Sequence, residues 1–381
     1  MTNSIATEGK IFSDLKNHFE ILDGLRGVAA VMVVIFHLFD AFSGDNHLIK
    51  IINHGYLAVD FFFLLSGFVI GYAYNDRWKK MSLKVFFKRR LIRLHPMVIM
   101  GMVIGAICFY FGASPILFPQ LSQVPFWKVL LTMFVGFTLL PLPTSMDIRG
   151  WGEMHPLNGP AWTLFFEYVG NILYAVFIRR ISNTFLSLLV FLSACALIHL
   201  AVTSPNGDVF GGWSIEPAQF RIGITRLLFP FLAGVLLSRL KKPSRIKNAF
   251  AISFIMIIVV LSLPRVGGTE NLWLNGLYES FSIVILFPLI VYIGASGDIK
   301  NEVALKICRF FGDISYPIYI IHFPLIYIYS AWVVDNDISL HNGWPMGLLV
   351  LIVTVLMALT CLNFYDIPVR KWLTKRFVNK N

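Results

Sequence analysis

Charge is scarce in this sequence: Asp, Glu, Lys and Arg make up 14% of its 381 residues. Soluble globular domains carry about 25%, so an ordinary water-soluble fold is excluded. Cysteine is scarcer still. Cys108, Cys195, Cys308 and Cys361 each stand alone in apolar sequence, with no CxxC pair and no metal-ligand spacing. That excludes a disulfide framework and gives no sign of a zinc site, so no metal is expected. Residues Met1 to Glu20 lack the cationic start, apolar core and cleavage site of a signal peptide, so the chain is expected to begin in the cytoplasm and keep its N-terminus. Internal repeats, low-complexity tracts and long hydrophilic extensions are all missing. One membrane unit over residues 1–381 is therefore expected, with 1–20 as a cytoplasmic N-terminal segment and 367–381 as a cytoplasmic basic tail.

What is present is hydrophobic. Apolar residues reach 57%, with 35 Phe, and mean hydropathy is +0.71. Eleven apolar segments are visible, at 25–43, 56–74, 90–112, 126–142, 160–178, 184–203, 218–238, 247–264, 275–294, 310–332 and 345–365. Crossing a bilayer core takes about 20 helical residues, so most of them qualify. Lys and Arg in short loops then set the orientation. Arg77, Lys79, Lys80, Lys84, Lys88, Arg89, Arg90 and Arg93 crowd one loop and the helix start that follows it. Arg179–Arg180, Arg239 to Lys247, Lys300 to Arg309 and Arg370 to Lys380 are also basic, whereas 204–217, 265–274 and 333–344 are not. All basic loops fall inside only if 126–142, which ends in Pro141–Leu142–Pro143, does not cross. The expected fold is an all-α bundle of about ten transmembrane helices, with a short re-entrant or interfacial segment and both termini cytoplasmic. The formal charge of +11 then reflects cytoplasmic loops; no nucleic acid is expected as a partner.

Ionisable residues within such spans are expensive and read as functional. His37 follows Arg26 by eleven residues, which places it about 16 Å deeper along a helix, just past the midplane. Glu167 enters from the outer side five residues after Trp162, His322 lies thirteen residues beyond Arg309, and Asp60 opens the second span ahead of Ser66. These four ionisable groups are expected at overlapping depths in the outer half. Two imidazoles and nearby carboxylates would supply a base and its orienting partner; a packed histidine bonded to a neighbour is the plain alternative. Arg90 and Arg93 share a helix face level with Arg26, and guanidinium forks suit phosphate; positive-inside anchoring explains such arginines equally simply. Trp162, Trp151, Arg221 and Arg226 lie near the outer face, placed to touch a sugar or to anchor at the interface.

These blocks resemble the acyltransferase-3 family of membrane acyltransferases, over nearly the whole chain. Leu22–Asp23–Gly24–Leu25–Arg26–Gly27 followed by His37 is similar to its opening signature. Ser66–Gly67–Phe68 and Arg90-x-x-Arg93 resemble its next two blocks. Trp162–Thr163–Leu164–Phe165–Phe166–Glu167 resembles a Trp-Ser-Leu-x-x-Glu block with Thr163 in place of Ser. Ser315–Tyr316–Pro317–Ile318–Tyr319–Ile320–Ile321–His322 resembles a late Ser-Tyr-x-x-Tyr-Leu-x-His block.

The resemblance implies an enzyme that takes an acyl group, usually acetyl, from cytoplasmic acyl-CoA to a hydroxyl of a carbohydrate, a lipid-linked glycan or a small metabolite. It would sit in the bacterial cytoplasmic membrane, among membrane lipid, and lack the extracytoplasmic domain fused to some relatives. On this view Arg26, Arg90 and Arg93 hold the CoA phosphates. His37 is general base or transient acyl carrier, Glu167 or Asp60 orients it, and His322, Ser66 or Tyr316 donates to the oxyanion. A proton-coupled transporter or flippase using the same buried groups as a relay is the alternative; missing inverted repeats count against it.

Overall fold

No water reaches backbone groups in a bilayer core, so a long apolar run must satisfy its own N–H and C=O groups by coiling into a helix. The computed structural model describes residues 18–43, 46, 48, 50–240 and 246–378. The expected N-terminal segment up to residue 17, positions 241–245 of one basic loop, and the tail beyond 378 lie outside the described residues.

In chain order the helices are α1 (Glu20–Asp40), α2 (Ala58–Tyr74), α3 (Leu83–Cys108), α4 (Phe126–Gly136), α5 (Ala161–Val176), α6 (Asn183–Thr203), α7 (Pro217–Arg239) and α8 (Ala249–Ser262). There follow α9 (Leu272–Phe281), running through a π turn into α10 (Phe287–Ala295), then α11 (Glu302–Asp335) and α12 (Leu340–Cys361). A second π turn, Leu362–Asp366, leads into α13 (Ile367–Phe377). Among the described residues, nine helices are long and apolar enough to cross a membrane. The protein is an integral membrane protein, all-α as expected. The segment read as non-crossing forms only the 11-residue α4, about 16 Å long and too short to span. The expected span at 247–264 is the 14-residue α8, about 21 Å, which reaches across only a thinned or partly covered core.

Burial separates centre from rim. In α1, α2 with its leading turn, and α11, 72% of the apolar window is buried against protein, whereas α6 and the α12–α13 helix bury 22% and face lipid. α1 runs along α11, and α2 along α7. Small residues permit this approach, as is usual where lipid offers no hydrophobic drive. A Cβ on Gly27 would collide with the Phe311 carbonyl, and one on Gly67 with the Phe231 carbonyl. These two contacts fix the heights of the neighbours Arg26 and Ser66.

Candidate functional site

A cavity of about 1170 Å³ opens between α2, α3, α5, α11 and α13 at the basic end of the bundle. Arg26, Arg90 and Arg93, singled out from charge and spacing, all line it, as do Ser66, Glu167 and Tyr316. Its mouth also carries Arg309, Arg370 and Lys375. His18, Glu20 and Asp23 gather there within metal-ligand distance of one another. Guanidinium groups already engage both carboxylates: Arg309 Nη2 lies 2.9 Å from Glu20 and Arg26 Nη2 3.0 Å from Asp23.

Deeper in, Ser66 donates to Glu167 Oε1 at 2.9 Å, and Arg90 Nη2 donates to the same oxygen at 2.6 Å. Arg90 is 4% exposed; a buried guanidinium without its carboxylate would be costly, which is why the pair forms. Arg26 is held by Ser315 Oγ at 2.8 Å and the Gly312 carbonyl at 3.1 Å. Arg93 is exposed at the wall and bonded to no other described residue. The inner end closes where the Thr163 and Tyr319 hydroxyls meet at 2.9 Å, with Phe62 edge-on to the Tyr319 ring at 5.4 Å.

Beyond Tyr319 lies the histidine pair. His37 and His322 stack with ring centroids 5.5 Å apart and planes inclined by 28°. Phe323 meets His37 edge-on at 4.8 Å. His322 is fully buried. Its Nδ1 faces the Tyr319 carbonyl at 2.8 Å and the Ile318 carbonyl at 3.2 Å. A carbonyl only accepts, so Nδ1 carries the proton and Nε2 of the neutral ring holds a lone pair. That Nε2 is buried without a hydrogen-bond partner among the described residues.

Several of the expected site residues have other partners than expected. Glu167 and Asp60 were expected to orient His37, but neither bonds to it. Glu167 belongs to the cavity, because residues 153–164 are buried and α5 starts well inside the bundle, bringing Glu167 to the level of Arg90. Asp60 forms a two-pronged pair with Arg226, at 3.2 Å (Nε–Oδ1) and 2.6 Å (Nη2–Oδ2). Arg226, expected to contact a sugar, is 2% exposed and also donates to the Gly211 and Tyr56 carbonyls. Trp162 is 7% exposed, packed between Phe63, Phe166 and the Arg226 guanidinium. Arg221 is exposed on α7. Trp151 stacks obliquely on Phe118 at 4.6 Å. Of the groups expected to donate to the oxyanion, the Tyr316 hydroxyl donates to the Leu94 carbonyl at 2.6 Å, the Ser66 hydroxyl donates to Glu167, and His322 Nδ1 faces the Tyr319 and Ile318 carbonyls.

Sequence reasoning passed over Tyr319, although it lies one helical turn before His322 in the same block. It also passed over Asp147, Arg149 and Glu153 in the loop between α4 and α5, where it had singled out Trp151 alone. There Asp147 accepts N–H bonds from Arg149, Gly150 and Gly152, a turn that needs positive φ at both glycines (+97° and +69°). The turn seats the Arg149 guanidinium 3.4 Å over the Tyr327 ring and lets Tyr327 donate to Glu153 at 2.5 Å. Phe323 links this group to His37 through ring contacts. Burial pushes the Glu153 carboxyl up to about 7 against the pull of Arg149 and Tyr327, and holds the His155 imidazole down at about 3. A raised native pKa means the folded state holds the proton more tightly. The resulting stabilisation is full below about 4.5 and gone once pH passes about 7. Compared with Glu153→Gln, the wild type should therefore lose thermal stability as pH rises from 4.5 to 8. A pH-independent difference between the two melting curves would show that Glu153 does not titrate there. The comparison with the variant cancels the opposite contribution of His155.

Comparison with known proteins bears on this arrangement. A family model described as an acyltransferase domain matches residues 19–363. The chain is 26% identical over 374 residues to the O-acetyltransferase OatA of Staphylococcus aureus (strain NCTC 8325 / PS 47), covering 93% of this chain and 58% of that protein. It is 32% identical over 189 residues to protein 2 in the picA locus of Rhizobium radiobacter, covering 48% of this chain and 94% of that protein. The chain thus spans less than two thirds of the O-acetyltransferase's length. No solved structure matches.

Proposed function

The chain belongs to the acyltransferase-domain family of integral membrane proteins, and from that premise we propose that it moves an acetyl group from cytoplasmic acetyl-CoA to a hydroxyl of a carbohydrate or lipid-linked glycan. The bilayer concerned is the bacterial cytoplasmic membrane, and the acceptor belongs to the cell envelope. One observation carries the reading: an arginine-lined cavity runs from the basic end of the bundle to Tyr319, directly beneath the stacked imidazoles of His37 and His322.

The diphosphate of the donor enters the positive field of Arg26, Arg90 and Arg93, and the thioester reaches the ceiling formed by Thr163 and Tyr319. In this structure their hydrogen bond closes the cavity, so transfer includes displacement of the Tyr319 ring. His37 then removes the proton from the acceptor hydroxyl as its oxygen attacks the thioester carbonyl. The C–S bond breaks, CoA leaves as thiolate, and it takes the proton back from the imidazolium. His322, with its lone pair on Nε2, stands beside His37 as a second proton acceptor. Ser66, Glu167 and Arg90 fix the wall along which the thioester arm lies.

In proteoliposomes with acetyl-CoA at the basic face, free CoA thiol should appear only when a glycan acceptor is supplied. Accumulation of a solute without thiol release would replace this reading with the transporter alternative.

A further inference from the structure

The basic helix α13 follows a π turn, a feature that often marks a functional position in a helix. That turn places Asn363 and Asp366 in the cavity wall, and α13 then crosses the cavity mouth. Lys88 Nζ donates to the Phe377 carbonyl at 3.3 Å, fastening the end of α13 to α3, the helix that bears Arg90 and Arg93. The mouth is therefore flanked by two basic helices.

Their cations are not equivalent. Arg26 and Arg90 are held by Ser315 and Glu167, Arg309 by Glu20, and Arg370 by Asp366 at 3.1 Å. Arg93 lines the cavity within the field of the Asp366 carboxylate, whereas Lys375 lines it, is exposed, and has no carboxylate partner among the described residues. Trp372, one turn before Lys375, lines the same space and is 55% exposed, with Arg376 5.4 Å from its ring. Thus a half-exposed indole and an unpaired lysine sit together at the outer end of a cavity whose inner end is closed by Phe62, Thr163 and Tyr319. Along α11 the lining runs from Arg309 to Tyr319, about 15 Å by helical rise. An elongated ligand with an anionic, aromatic head and a thin tail suits this shape.

We infer that α13 is the docking surface for the 3′-phosphoadenosine end of the donor, with Trp372 stacking on the purine and Lys375 pairing with the 3′-phosphate. The inference rests on the acyl-CoA reading above and adds residues that reading does not use. A planar base stacks on an indole irrespective of sequence context. A phosphate at a mouth lined by lysine and arginine gains charge-assisted bonds.

The test is calorimetric titration of the full detergent-solubilised chain, free of anionic lipid, with CoA and with adenosine 3′,5′-bisphosphate. Trp372→Ala and Lys375→Glu should each weaken both ligands at least tenfold, and Lys375→Arg should restore binding. In transfer assays the preference for acetyl-CoA over S-acetylpantetheine should fall at least tenfold in the same two variants. Wild type that binds CoA, with both variants binding it equally well, overturns this inference and leaves the acyl-CoA reading intact. Wild type that binds no CoA overturns both. If Lys375→Glu weakens only association with phosphatidylglycerol vesicles, the helix serves lipid headgroups and the inference falls.

Discussion

His37→Ala should abolish acetyl transfer while the protein still inserts and melts near the wild-type temperature. Removing a positioned general base typically costs about 10²–10⁴-fold in rate. His37 bonds to no other described residue and touches its neighbours through Phe36, His322 and Phe323 ring contacts. The fold therefore loses little when the ring goes, on the order of 1 kcal/mol for a substitution of this kind. The measurement is acceptor-dependent release of CoA thiol alongside a melting curve. Normal turnover in this variant would remove His37 from the chemistry. Intact-mass analysis of wild type given acetyl-CoA alone separates two roles. A stable acetyl adduct lost in His37→Ala marks a carrier, and its absence favours the base. His322→Ala is the less clean experiment, because its Nδ1 also bonds the Tyr319 carbonyl within α11.

Depth along a helix can be read from a sequence, and this explains what was legible. Apolar runs located the spans, basic loops located the end where Arg26, Arg90 and Arg93 share a cavity, and counting residues from Arg26 and Arg309 brought His37 and His322 to one level, where their rings stack. Counting yields one coordinate only. Which helix stands beside which, and which way a side chain turns, depends on packing through glycines such as Gly27 and Gly67. Asp60 thus found Arg226 on α7 instead of an imidazole. Glu167 was misplaced for another reason: its helix begins inside the bundle after a buried loop, so counting from Trp162 started too high. That loop itself, with Glu153 and Arg149, carries no apolar periodicity to announce that it folds inward.

The second large effect concerns stability. Asp60→Ala should destabilise the protein by about 3–5 kcal/mol, the usual cost of stranding one partner of a buried ion pair. Asp60 is fully buried and Arg226 nearly so. The guanidinium spends its N–H groups on both Asp60 oxygens and on two backbone carbonyls, Tyr56 before α2 and Gly211 before α7. Loss of the carboxylate leaves those donors half-satisfied around an uncompensated charge, and the α2–α7 contact loosens at the end opposite the basic mouth. Replacing both residues with apolar groups of similar volume, Asp60→Leu with Arg226→Met, removes charge and donor together and should recover most of the loss, since a buried pair exchanged whole is often near neutral. Thermal unfolding in detergent of the two single variants and the double variant gives the coupling directly. Equal stability for Asp60→Ala and wild type, with only acceptor affinity reduced, would mean that the pair opens to substrate. Arg226 would then be a binding residue after all.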